Sequence, residues 1–374
     1  MNGITKKLIT GAVVLVIVIG VMFVNRFALM SWAAAYGAMG YLAKLAEPIL
    51  TTRPVDWSAP PPTLDYDNAR PPNIIVILAD DLGWNDISFY GGGVGGGAVQ
   101  TPNIDRIAAE GVHFSNGYAG NATCAPSRAA LLTGRYPTRY GFEFTPAPAE
   151  MMRMAYSFEP HREQLHPGFF LEENLAEFPP LEEQGVPASE ILLPELLVDR
   201  GYHSMILGKW HLGQNKGHAP NDQGFDQFLG FLSGAAMFAE FDDPRMVKSI
   251  QEFDPIDQFL WPNLTFAVRY NKEQHFAPDE YMTDYLSTQA VRAIQANKHR
   301  PFLLYLSYNA PHTPLHALKS DYDALPMIKN HTERVYGAMI SSLDRGIGRV
   351  MAALKAEGID DNTLIIFSSD NGGG

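Results

Sequence analysis

The stretch Asn73-Ile74-Ile75-Val76-Ile77-Leu78-Ala79-Asp80-Asp81 decides how the chain is read. An apolar run rich in β-branched residues, with no polar alternation, describes a strand buried on both faces, as in a parallel sheet covered by helices. Two adjacent carboxylates close it. Three further runs repeat the design: His203–Leu207 before Lys209, Phe302–Ser307 before His312, and Thr363–Ser368 before Asp370. Helical patterns separate them. One opens at Thr101-Pro102-Asn103-Ile104-Asp105, with Thr101 as cap and Pro102 in the first turn. Others run over Glu190–Arg200, Asp279–Ala296 and His331–Glu357. Strands alternating with helices predict an α/β fold: a mostly parallel central sheet with helices on both faces. In such a sheet functional groups gather beyond the carboxyl ends of the strands, which is where each polar cluster falls.

Composition narrows the function. The 374 residues carry 28 Lys+Arg against 41 Asp+Glu, a net charge of −13, which argues against a protein held on nucleic acid by phosphate neutralisation. With 46% hydrophobic residues the chain can bury a substantial core. Its one cysteine, Cys124, excludes an intrachain disulfide and a multi-cysteine metal site.

The amino-terminal region reads differently from the body. Behind Lys6 and Lys7, residues 8–24 form a 17-residue apolar run, longer than a usual signal-peptide core and just short of a typical spanning helix. Residues 1–50 therefore read as a signal anchor or signal peptide, with the bulk of the chain exported to a periplasmic or other extracytoplasmic space. Residues 51–72 are proline-rich and read as an extended linker, followed by a catalytic body over 73–374. Residues 142–188 and 235–275 lack a clear period and read as insertions over the strand ends. The glycine run 91–97 lacks the Lys-Ser/Thr of a phosphate loop and reads as a turn.

Adjacent carboxylates facing one site repel and seldom persist without a cation. Asp80 and Asp81 end one strand and Asp370-Asn371 end another, so they form a candidate set of hard oxygen donors suited to Ca²⁺ or Mg²⁺. The competing reading is ordinary strand-end caps and turns. Cys124-Ala125-Pro126-Ser127-Arg128 precedes an apolar helical run, which places Cys124 at a helix N-terminus where an anion is favoured. Arg128, one turn on, can face the same site. A lone cysteine is usually a small buried hydrophobe. Beside Arg128 at a helix N-terminus it would be a reactive thiolate, so this is a nucleophile position whose nucleophile is open. His203, His218 and His316 read as structural, and the Asn-x-Thr triplets at Asn121, Asn263 and Asn330 as coincidental.

Cys124-x-Pro126-Ser127-Arg128, continued to Thr133-Gly134-Arg135, resembles the signature of the type I sulfatases. Five more blocks match that family in order: Asp80-Asp81-Leu82-Gly83-Trp84, Thr101–Arg106, Gly208-Lys209-Trp210-His211-Leu212-Gly213, Ala310-Pro311-His312-Thr313-Pro314 and Ser369-Asp370-Asn371-Gly372-Gly373. The resemblance spans residues 73–374 and implies an alkaline phosphatase-like fold.

It also implies a chemistry. A separate maturation enzyme would oxidise Cys124 to Cα-formylglycine, whose hydrate attacks a sulfate ester and then releases sulfate from a covalent intermediate. Asp80, Asp81, Asp370 and Asn371, with residue 124, would hold Ca²⁺. Arg128 would balance the carboxylates and orient the diol, and Lys209 would bind sulfate oxygens. His211 would orient or deprotonate the diol, and His312 would serve the leaving oxygen. Lys209 and His211 can share a pocket only if the backbone abandons strand alternation between them. Members of the resembled family continue past Asp-Asn-Gly-Gly with a further lysine and a smaller C-terminal subdomain. The resemblance therefore implies that the catalytic domain is truncated here, with an exposed sheet edge, low stability and weak turnover. An arylsulfatase-like hydrolase is the leading expectation. A phosphonate or phosphodiester hydrolase with the same nucleophile, or a non-catalytic membrane-tethered binding protein, competes with it. Phe142, Phe144, Phe169 and Phe170 would suit an aryl or a sugar substrate equally.

Overall fold

The computed structural model describes residues 45–60, 70–149, 171–173, 177–215, 217–251 and 255–373. The apolar run at 8–24, residues 61–69 of the proline-rich stretch and Phe169-Phe170 lie outside the described residues. Among those described, no helix is long and apolar enough to cross a membrane.

The decisive stretch is a strand, β1 (Asn73–Ala79), one in from the edge of a six-stranded sheet. The other strands of that sheet are β2 (His203–Lys209), β3 (Gln227–Phe231), β5 (Arg269–Tyr270), β6 (Phe302–Ser307) and β8 (Thr363–Ser369), while β4 (Met246–Ser249) and β7 (Leu315–Leu318) form a separate antiparallel pair. The order across the large sheet is β5-β3-β2-β6-β1-β8, parallel throughout except where β5 pairs antiparallel with β3. The register sets Ile77 beside Leu306 on one side and Phe367 on the other. All four expected strands are present. β2 and β8 run past their expected ends, to Lys209 and Ser369. β3, β4, β5 and β7 went unread because two to five residues cannot display a period.

Alternation along β1 splits the core in two. Ile75 and Ile77 pack with Met205, Leu207, Leu304 and Leu306. That cluster joins the long helices α4 (Met282–Asn297) and α5 (His331–Ala356) and Ile104 of α1 (Pro102–Glu110). Val76 and Leu78 pack the other way, with Ile206, Leu303 and Tyr305, against Ala125, Ala129 and Leu132 of α2 (Cys124–Thr133). Helices thus cover both faces, as the uninterrupted hydrophobic strands require.

Helix boundaries moved where local chemistry dictates. The expected helix over Glu190–Arg200 shrinks to α3 (Leu193–Val198), with Pro194 in its first turn and a left-handed Gly201 just beyond. The Thr101 hydroxyl does not cap the α1 backbone; it donates to Asp105 Oδ1 at 2.9 Å. Asn330 caps α5, accepting from Glu333 N at 3.0 Å, and Asn121 Oδ1 accepts from Thr123 N.

Two segments depart from expectation. Residues 51–60, read as part of an extended linker, lie against the body: Trp57 is buried and its indole donates to Gln289 Oε1 at 3.0 Å. An indole carries too much apolar surface to stay in water when a groove is at hand. Residues 235–275, read as insertion, supply Met237, Phe238, Trp261, Phe266 and Val268 to the main core cluster. Their apolar content served packing, without a period long enough to show it.

Candidate active site

The parallel strands deliver their terminal residues to one end of the sheet. Asp80 N donates to Ala310 O and Asp370 N to Ala79 O, so the turns after β1, β6 and β8 are stitched together as the strands finish. Asp81 and His211 take left-handed backbone angles, φ 60° and 64°. At His211 this breaks strand alternation two residues after Lys209, the departure that sharing one pocket demands.

At the base of the site Arg128 and Lys209 are fully buried and clamp Asp80. Lys209 Nζ donates to Asp80 Oδ1 and Oδ2 at 2.8 and 2.7 Å, and Arg128 Nη2 to Oδ1 at 2.9 Å. Arg128 Nε reaches Asp370 Oδ2 at 3.0 Å and Nη1 reaches Ser307 Oγ at 2.5 Å. Burial alone would push the Asp80 carboxyl up, yet Lys209 and then Arg128 hold it below the usual carboxylate range. For Asp370 burial wins: its pKa rises, because Arg128 is shared and Asp80 lies close.

Above this base lies Asp81. Its Oδ1 accepts from Asn371 Nδ2 at 2.7 Å and from the Cys124 thiol at 3.7 Å, and its Oδ2 lies 3.4 Å from His312 Nε2. Ligand atoms of Asp80, Asp81, Cys124 and His312 all fall within 4.8 Å of one another. Asn371 Oδ1 is buried with no hydrogen-bond partner. Three carboxylates against two fixed cations leave one net negative charge in this cluster, with His211 neutral. Burial first, then Lys209 and Arg128, hold the His211 imidazole well below its ordinary pKa, and its Nδ1 is buried without a partner.

Cys124 is the first residue of α2, and the preceding Thr123 side chain does not cap the helix. Its hydroxyl instead donates to Asn121 Oδ1 at 2.8 Å, leaving the first N–H groups of α2 free of a side-chain cap. The helix terminus does not make the thiol acidic. Burial, with Asp80, Asp81 and Asp370 nearby, outweighs Lys209 and pushes it up to about 12, so an unmodified Cys124 keeps its proton at neutral pH.

All nine residues singled out in the sequence therefore meet here: Asp80, Asp81, Cys124, Arg128, Lys209, His211, His312, Asp370 and Asn371. His203, His218 and His316 do not. His203 pairs with Gln227 and Asp226, His218 with Val186 O, and His316 is buried on β7 beside Trp261. Sequence reading missed Ser307, which holds Arg128, and Gly234, where a Cβ would stand 2.6 Å from His211 Nε2. It also missed Asn309, buried just after β6 with both amide atoms unpartnered. A lone serine, glycine or asparagine carries no signal until a fold brings it to a site.

A family model described as "Sulfatase" matches residues 72–374. The chain is similar to human N-acetylgalactosamine-6-sulfatase, 34% identical over 307 residues that cover 81% of this chain and 50% of that protein. It is also similar to mouse steryl-sulfatase, 29% identical over 392 residues, 88% of this chain and 54% of that one. The chain thus spans about half the length of the curated relatives it matches. Among solved structures, that of Ps i-CgsB superposes with a TM-score of 0.62 at 35% identity, covering 81% of this chain and 59% of that one. The same protein has been solved in complex with k-i-k-neocarrahexaose.

Proposed function

The chain belongs to the sulfatase family, and from that premise we propose that it hydrolyses sulfate esters of carbohydrates at the strand-end site. The observation that carries this reading is the convergence of Cys124, at the start of α2, with Asp80, Asp81 and His312 on one point above a buried Arg128–Lys209 pair. The similarity to an N-acetylgalactosamine-6-sulfatase and to a protein crystallised with neocarrahexaose supports a sulfated sugar over a simple aryl sulfate.

A hard divalent cation fits the residues present. Its donors would be Asp80, Asp81, Asp370 and Asn371, and the orphaned Asn371 Oδ1 is an oxygen awaiting such a partner. Two positive charges would turn the cluster's single negative charge into a single positive one, the complement of a sulfate monoester. Bound there, Ca²⁺ would supply charge stabilisation for sulfate oxygens and acidify a nearby hydroxyl. A formylglycine at position 124, made by a separate maturation enzyme, would supply that hydroxyl and a second one through which sulfate can leave.

The chain's own residues do the rest. Lys209 and Arg128 fix Asp80 and bring positive charge to the floor where sulfate oxygens would rest. Neutral His211, its Nδ1 unpartnered, would accept a proton from residue 124 in this reading. His312, facing Asp81 through Nε2, would give a proton to the departing sugar oxygen in this reading. The free N–H groups of α2 favour negative charge at its first residue. The apolar segment 8–24 behind two lysines supports export with an amino-terminal anchor.

The test is to produce the chain with and without a maturation enzyme, weigh the peptide containing Cys124, and assay both forms. Conversion of the Cys124 CH2SH side chain to an aldehyde, with turnover of a 6-sulfated amino sugar in the matured form alone, is expected. Turnover of a phosphonate monoester in place of any sulfate ester would overturn the sulfatase reading. A matured protein inert on both would favour a binding role.

A further inference from the structure

Asp81 holds a left-handed backbone conformation, φ 60°, which a residue with a side chain adopts at a cost, and such a conformation persists only where neighbours over-determine it. Two of its restraints belong to the site: its N–H donates to Asp370 Oδ1 at 3.2 Å and its carboxylate takes Asn371 Nδ2. The others do not. The Tyr336 hydroxyl, on α5, stands 3.3 Å from Asp81 O and donates to Asp86 Oδ2 at 2.7 Å. That same Asp86 oxygen accepts from Gly83 N at 3.0 Å, and Asp86 N donates back to Gly83 O at 3.1 Å. There is no slack in the turn. A Cβ on Gly83 would lie 2.4 Å from Asp86 Oδ2, and one on Gly373 would lie 3.0 Å from Gly83 Cα.

We infer that Tyr336 and Asp86 are positioning residues for the cation site, tying the left-handed Asp81 turn to helix α5 so that its carboxylate is aimed before an ion arrives. Neither touches Cys124 or the clamp on Asp80; they act through Asp81 and Gly83. A pre-aimed ligand binds without first having to be ordered, so loosening the turn weakens cation affinity while the fold stands. This rests on the cation reading proposed above.

The test is a terbium luminescence titration of the whole purified chain, terbium serving as a hard-cation probe. Tyr336→Phe removes only the hydroxyl and is expected to weaken terbium binding about 10- to 100-fold. Asp86→Asn, which disturbs the other end of the tie, is expected to act in the same direction and serves if the first variant folds poorly. Tyr270→Phe is the control: its hydroxyl donates to Asp56 O at 2.6 Å on β5, at the far edge of the sheet, and its loss should leave affinity unchanged. Amide exchange at Leu82 and Gly83 in metal-free protein should quicken in Tyr336→Phe and not in Tyr270→Phe. Unchanged terbium affinity in Tyr336→Phe, or an equal loss in Tyr270→Phe, would overturn the inference while leaving the cation reading intact. A wild-type chain that binds no terbium would sink both, and the cation reading first.

Discussion

Arg128 is the residue whose removal the site can least absorb. It lies with no exposure between Asp80 and Asp370, and without it two buried carboxylates face each other with Lys209 alone. Breaking a buried ion pair from one side typically costs about 3–5 kcal/mol, so Arg128→Leu should lower stability by that order in urea unfolding. A loss no larger than that of an exposed ion pair would show that the cluster relaxes and takes up water. The same charge imbalance predicts linkage to a cation. Calcium at about 100 times its dissociation constant should stabilise the fold by about 2.7 kcal/mol, and a chelator should reverse the shift in melting temperature. Thermal melts that ignore both additions would argue against a bound ion. At this scale much was legible. Asp80, Asp81, Asp370 and Asn371 declare themselves by following strands, and Cys124 with Arg128 by opening a helix. The grip of Lys209 on Asp80 was not legible, because a strand-end lysine has no stated partner until β1 and β2 are set either side of β6.

Elements carry the next layer of consequence. α5 begins at Asn330, whose side chain accepts from Glu333 N, so Asn330→Ala should cost about 1 kcal/mol in thermal unfolding. β7 carries His316, fully buried with both ring nitrogens unpartnered. Burial, reinforced by Lys248 and only partly offset by Asp243, lowers its pKa to about 4. The unfolded chain protonates this histidine near pH 6.5 while the folded chain resists, so stability is lost as pH falls from 6.5 toward 4. The loss should be on the order of 3 kcal/mol. His316→Gln should flatten that part of the stability profile, and an unchanged slope would assign the acid sensitivity to other groups. The long strands and helices were readable because each shows several periods of its pattern. The pair β4–β7 was not, since four residues facing four others look like loop until they meet.

For the whole molecule, the order β5-β3-β2-β6-β1-β8 places β1 between β6 and β8, and this brings together residues separated by hundreds of positions. It also leaves β8 paired only with β1 among the described residues, with Leu364 and Ile366 of that strand 51% and 42% exposed. Apolar edge strands recruit partners. Replacing both residues with lysine should reduce self-association in light scattering without moving the thermal midpoint, and undiminished association would place the sticky surface elsewhere. The α/β class, the parallel sheet and the strand-end location of the polar clusters were legible in the sequence alone, which also singled out Cys124 and the carboxylates as candidates. Hydrophobic periodicity and residue type are local properties, and a buried parallel strand advertises both. The tertiary structure alone decided which charges pair, that Cys124 keeps its proton, that His211 is neutral, and that Tyr336 and Asp86 hold the Asp81 turn. Each of these depends on burial and on distances of a few ångströms between segments far apart in the chain, and linear order encodes neither.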